Sequence, residues 1–112
     1  MVIKNADIAA VDLGKGISRK VLSSGGKMMT AQFSFVKGAV GTLHTHPHEQ
    51  VGYVVHGSFE LTLAGDKITI EQGDTYYVPP GEVHGVIALE DGVLLDVFTP
   101  QREDFLTPVD RK

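Results

Sequence analysis

The spacing of the apolar residues constrains this chain most: they alternate with polar ones, and no segment keeps a helical period for three turns. Between residues 28 and 36, Met29, Ala31, Phe33 and Phe35 fall on one face and Thr30, Gln32 and Ser34 on the other. Val51 to Val55 and Ser58 to Leu63 read as two strands, and His56-Gly57 between them reads as a hairpin turn. Gly65-Asp66 marks the next turn, before Lys67 to Ile70. Gln72-Gly73-Asp74 leads into Thr75 to Val78, which Pro79-Pro80-Gly81 terminates, and Glu90-Asp91-Gly92 turns the chain into Val93 to Thr99. Short strands at regular spacing predict an all-β, antiparallel sandwich or barrel. The 13 glycines among 112 residues, above the usual ~7%, supply the turns such a fold needs. A chain of this length has room for one core, so residues 1–112 are expected to form one domain, with a barrel core over about residues 18–100 and an extension at each end. The polar tail from Pro100 to Lys112 is expected to pack loosely.

Composition excludes several functions. The formal charge is −4 and Lys and Arg form no run, so no nucleic-acid partner is expected. No cysteine is present, which removes disulfides, thiolate ligands and a Cys nucleophile. The first residues lack the apolar core of a signal peptide, and no stretch approaches the ~18–20 apolar residues of a membrane span. A cytoplasmic protein with no membrane partner is expected.

Chemistry concentrates in Leu43-His44-Thr45-His46-Pro47-His48-Glu49-Gln50. On a strand His44 and His46 point to the same face, where two imidazoles can close on one metal ion. His84 opens a new strand after a Pro-Pro-Gly turn, and a closed barrel can bring it to the same place. Local spacing alone leaves both a metal site and ordinary core histidines open. Asp96 interrupts the apolar run Val93-Leu94-Leu95-Asp96-Val97-Phe98. A carboxylate there is costly to bury unless it is paired, bound or functional. The alternative is a rim residue paired with a nearby Lys or Arg. Apolar residues on both faces of this strand suggest that it is covered on both sides, as a homodimer interface would do. His48 is expected to be solvent-exposed in its turn, and His56 to be a turn residue.

Gly38-(5)-His44-x-His46-(3)-Gln50-(6)-Gly57 resembles the first cupin motif, and Gly73-(5)-Pro79-x-Gly81-(2)-His84 resembles the second. The resemblance implies a single antiparallel cupin barrel, the double-stranded β-helix or jelly roll. Two positions depart from the motifs: Gln50 stands where Glu is usual, and Ala88 where Asn is usual. Glu49 is one residue out of register for a ligand. The implied cofactor is one divalent transition metal held by His44, His46, Gln50 and His84. Zinc, nickel, iron, manganese and copper all suit such a site, and three neutral imidazoles with a neutral amide oxygen would leave the metal its full charge.

Val93-Leu-Leu-Asp96-Val-Phe98-Thr-Pro-Gln-Arg102, the segment His46-Pro-His-Glu-Gln50, Tyr76-Tyr77-Val-Pro-Pro-Gly81 and Asp12-Leu-Gly-Lys-Gly16 are similar to the KdgF-type pectin-degradation cupins. This resemblance implies ring opening of 4,5-unsaturated uronates, small acidic sugars, to linear keto acids. It also implies a role for Asp96 as general acid/base, for Arg102 at the substrate carboxylate and for Phe98 against the sugar ring. An oxygen-activating dioxygenase and a non-catalytic sugar-binding module are the alternatives that cupins also permit.

Overall fold

The computed structural model describes residues 1–106. Ten strands appear among them: β1 (Val11–Gly14), β2 (Ile17–Gly25), β3 (Met28–Phe35), β4 (Val40–His44), β5 (Glu49–His56), β6 (Ser58–Leu63), β7 (Asp66–Glu71), β8 (Thr75–Val78), β9 (His84–Ala88) and β10 (Gly92–Thr99). They form a six-stranded sheet ordered β1-β2-β3-β10-β5-β8 and a four-stranded sheet ordered β4-β9-β6-β7, with antiparallel pairing. No helix among the described residues is long and apolar enough to cross a membrane.

Alternation decides what each strand buries. On β3, Met29, Ala31 and Phe35 turn inward and are buried, while Thr30, Gln32 and Ser34 stay half-exposed on the other face. Phe35, Val54 and Leu94 from the larger sheet meet Phe59, Leu61, Ile70 and Ala88 from the smaller one in a shared core. Phe35 and Phe59 pack edge to face with centroids 5.2 Å apart. A second cluster unites Met29, Ala31, Phe98 and Phe105.

Two expectations need correction here. His56-Gly57 is not a hairpin turn, because β5 pairs with β8 and β10 in one sheet while β6 pairs with β7 and β9 in the other. The chain changes sheets at Gly57, whose φ of +82° and closeness to Asp91 leave no room for a side chain; a Cβ would lie 2.5 Å from the Asp91 carbonyl oxygen. The tight hairpin lies one strand later, between β6 and β7, where Leu63 pairs with Asp66 and both Ala64 and Gly65 have positive φ.

Nor is the tail loose as far as it is described. Phe105, in a short 3-10 turn at Glu103–Phe105, is buried beside Phe98 at a centroid distance of 5.6 Å and beside Phe33 at 5.8 Å. Burying an aromatic side chain stabilises by about 1.5–3 kcal/mol, enough to hold a short segment against the barrel. The remainder of the expected tail, 107–112, lies outside the described residues.

Candidate active site

His44 and His84 sit opposite each other where β4 pairs with β9, and their rings are 4.3 Å apart. β4 ends at His44, so His46 follows the strand and is not part of it. The chain nevertheless folds back so that the His46 ring lies 5.6 Å from His44 and 4.8 Å from His84. One ligand atom from each of the three histidines falls within 4.8 Å of the others, a cluster that could hold a metal ion.

The protonation pattern fits a metal. Each Nδ1 lies against a backbone carbonyl: His44 against Thr42 at 2.8 Å, His46 against His48 at 3.0 Å, and His84 against Glu82 at 2.9 Å. Only an N–H satisfies a carbonyl, so Nδ1 donates and Nε2 keeps its lone pair. Histidine ligands are oriented by this kind of outer hydrogen bond. The Nε2 of His84 is buried with no hydrogen-bond partner, a costly state unless a cation takes the lone pair. Burial lowers the His84 pKa to about 4 and lowers that of His46 as well, so both stay neutral at pH 7 and able to ligate.

Gln50 is buried, and its Oε1 lies 3.0 Å from His46 Nε2. With Nδ1 of His46 committed to a carbonyl, two acceptors face each other, and a shared cation relieves that. The other side of the amide hydrogen-bonds Asp96 and Tyr76. Glu49 is exposed, as its register required. His48 is half-buried with its ring 5.4 Å from that of His46, contrary to the exposed position expected, because its carbonyl must turn inward to meet His46. His56 is exposed.

Asp96 is buried at 5% exposure and makes no ion pair among the described residues; the Tyr76 hydroxyl donates to its Oδ1 at 2.9 Å. It is thus not a rim residue, and no Lys or Arg among the described residues forms an ion pair with it. Burial pushes its carboxyl up to about 6, against the opposing pull of the Tyr76 and Gln50 hydrogen bonds and the Arg102 charge. Such a group holds and releases a proton near neutral pH.

Phe98 is buried, with its ring edge-to-face on His46 at 5.7 Å. The Arg102 guanidinium is also buried, 5.1 Å from the Phe98 centroid and 4.2 Å from that of Phe105. Its Nε and one terminal nitrogen donate to the two oxygens of Asp104 at 2.9 and 2.7 Å. The end-on pair of N–H groups is what it can offer a ligand.

A cavity of about 230 Å³ joins these groups, with His44, Gln50, His84, Asp96, Phe98 and Arg102 all in its wall. Sequence reasoning missed two further polar wall residues, Tyr76 and Arg19. Alternation carried the signal for both: Tyr76 shares the inward parity of Val78, and Arg19 that of Ile17 and Val21. Arg19 is buried with its guanidinium 4.3 Å from the Phe105 centroid.

Comparison with known proteins agrees with this geometry. The cupin domain family matches residues 31–98. The pectin degradation protein KdgF of Dickeya dadantii is 45% identical over 97 residues, covering 85% of this chain and 88% of that one. The solved structure of KdgF from a Halomonas species superposes with a TM-score of 0.91 at 39% identity, over 95% of this chain and 98% of that one. An RmlC-like cupin from Shewanella frigidimarina gives a TM-score of 0.87 at 35% identity, over 94% of this chain and 99% of that one. By fold, motif and overall likeness, the chain belongs to the cupin family and, within it, stands with the KdgF-type proteins.

Proposed function

We propose that this protein opens the ring of 4,5-unsaturated uronates to linear keto acids. One observation carries the reading: a buried carboxylate able to exchange a proton near pH 7 shares a cavity with His44 and His84, two members of a histidine cluster suited to a divalent metal. Likeness to a pectin degradation protein over most of the chain supports the substrate class.

His44, His46, Gln50 and His84 would hold the metal, which when bound supplies Lewis-acid stabilisation of negative charge on oxygen. The chain's own residues do the rest. Asp96 takes the proton of the anomeric hydroxyl, and the electrons left on that oxygen form the aldehyde as the bond from C1 to the ring oxygen breaks. The electron pair of that bond stays with the former ring oxygen as an enolate on C5. Asp96 then returns the proton to C4, leaving a ketone at C5, so the reaction is an isomerisation with no net loss or gain of atoms. Arg102 meets the substrate carboxylate with its end-on N–H pair, and Phe98 forms the apolar wall against the ring. Incubation with an unsaturated uronate under nitrogen, following the absorbance of the conjugated double bond, tests the proposal. Turnover that required oxygen would point to a dioxygenase, and tight binding with substrate recovered unchanged would point to a binding module.

The same reading includes a homodimer. On the outer face of the larger sheet, Val97, Val51 and Tyr77 lie in one cross-strand row and Leu95 and Tyr53 in the next. Val51, Tyr53 and Tyr77 are 46%, 42% and 48% exposed, a contiguous apolar face that a second copy would cover.

A further inference from the structure

The residues Asp96, Gly52 and Tyr76 form one cross-strand row through β10, β5 and β8. Paired residues in antiparallel strands project to the same face, so all three project inward. The outer two are separated by a whole strand, beyond the reach of an ordinary cross-strand pair. They touch because the middle position is glycine. The Tyr76 ring lies over Gly52: a Cβ on that glycine would fall 2.0 Å from Tyr76 Cζ and 2.4 Å from its hydroxyl oxygen. Gly52 does not have positive φ, so the backbone conformation does not demand glycine here. What demands it is the ring. Laid across that gap, the phenol places its hydroxyl 2.9 Å from Asp96 Oδ1.

From this geometry we infer that Tyr76 is a positioning residue for Asp96, and that Gly52 exists as the seat for its ring. The inference rests on the ring-opening reading for its catalytic consequence, while the seat itself is a matter of packing. The carboxylate has two side-chain partners, the Tyr76 hydroxyl and the Gln50 amide. Together they fix its rotation, so that it meets a substrate in one orientation. Phenylalanine at position 76 would keep the ring in its seat and lose the hydroxyl's hydrogen bonds to Asp96 and to the Gln50 amide. Were Tyr76 simply core filling, its hydroxyl would have no influence on rate.

Tyr76→Phe separates the two roles. Metal content, melting temperature and the Michaelis constant should remain near those of the wild type, while kcat falls about ten- to a hundredfold, the scale of a slightly misplaced reacting group. In the Asp96→Asn background the same change should cost little more, because it acts through Asp96. Gly52→Ala should lower both melting temperature and kcat, and the loss of melting temperature should shrink when Tyr76→Ala is added. A readout independent of turnover is the side-chain carboxyl signal of Asp96 in protein labelled at aspartate carboxyl carbons, assigned by its loss in Asp96→Asn. That signal should move in Tyr76→Phe while those of the other aspartates stay. Tyr76→Phe with wild-type kcat, or with an unmoved Asp96 signal, overturns the inference. An inactive wild-type protein would instead overturn the ring-opening reading, and the carboxyl signal would still decide whether Tyr76 holds Asp96.

Discussion

Gln50 Oε1 lies 3.0 Å from His46 Nε2, while the same amide hydrogen-bonds Asp96. One side chain thus joins the histidine cluster to the buried carboxylate, and only an amide can do both. Its oxygen serves as an acceptor towards the cluster and its NH2 as a donor to Asp96. A glutamate here would keep a ligand oxygen but set a second negative charge against Asp96. Gln50→Glu is therefore expected to retain metal, measured as ion per chain, and to lose turnover. Full activity in that variant would show that the bridge is unimportant.

Metal binding should depend on both strands that carry it. His44→Ala combined with His84→Ala removes one imidazole from β4 and one from β9, and is expected to abolish stoichiometric binding of zinc or nickel. Because a ligand that binds only the folded state stabilises it, added metal should raise the melting temperature of the wild type and not of this variant. Stoichiometric metal in the double variant would refute the ligand assignment.

Asp96→Asn keeps the shape, exchanges one acceptor oxygen for an NH2 donor, and cannot exchange a proton. Metal content and substrate affinity should stay near wild type, while turnover falls by about two to four orders of magnitude. A folded, metal-loaded variant with normal turnover would take Asp96 out of the mechanism.

The Arg102–Asp104 pair predicts a pH dependence. Hydrogen bonding to Arg102 holds the Asp104 carboxyl below its ordinary range. A carboxyl whose folded pKa is depressed contributes stability that is present above its unfolded pKa and lost as pH falls through the folded value. Melting temperature should thus drop more steeply on acidification below the ordinary carboxylate range in the wild type than in Asp104→Asn. The effect should be small and reduced by salt, since the Asp104 side chain is 58% exposed.

The outer face of the larger sheet gives a test in solution. Light scattering should report twice the 12.1 kDa chain mass. Val51→Asp, which places a charge in the centre of the Val97, Val51 and Tyr77 row, should give monomers. A monomeric wild type would remove the homodimer from the account.

Much of this was legible from residue order alone, because a period of two is a local property. The faces of β3 followed from alternation, the oddity of Asp96 from its place inside an apolar run, and the cluster of His44, His46 and His84 from motif spacing. What could not be read was anything decided by partners distant in sequence. Strand, glycine, strand looks the same whether β5 and β6 pair with each other or part into different sheets at Gly57. Phe105 and Arg102 lie in a segment with no period, so their burial against Phe98 left no local trace. Parity with Val78 marks Tyr76 as inward once β8 is known, but its reach to Asp96 depends on a glycine 24 positions earlier, on a different strand.

The most direct test of the central claim is the absorbance of the conjugated double bond of a 4,5-unsaturated uronate, followed in oxygen-free buffer with metal-loaded protein. The account predicts that absorbance falls in proportion to protein added, that the product has the same mass as the substrate, and that Asp96→Asn slows the fall. Absorbance that stays constant, or that falls only when oxygen is admitted, would contradict it.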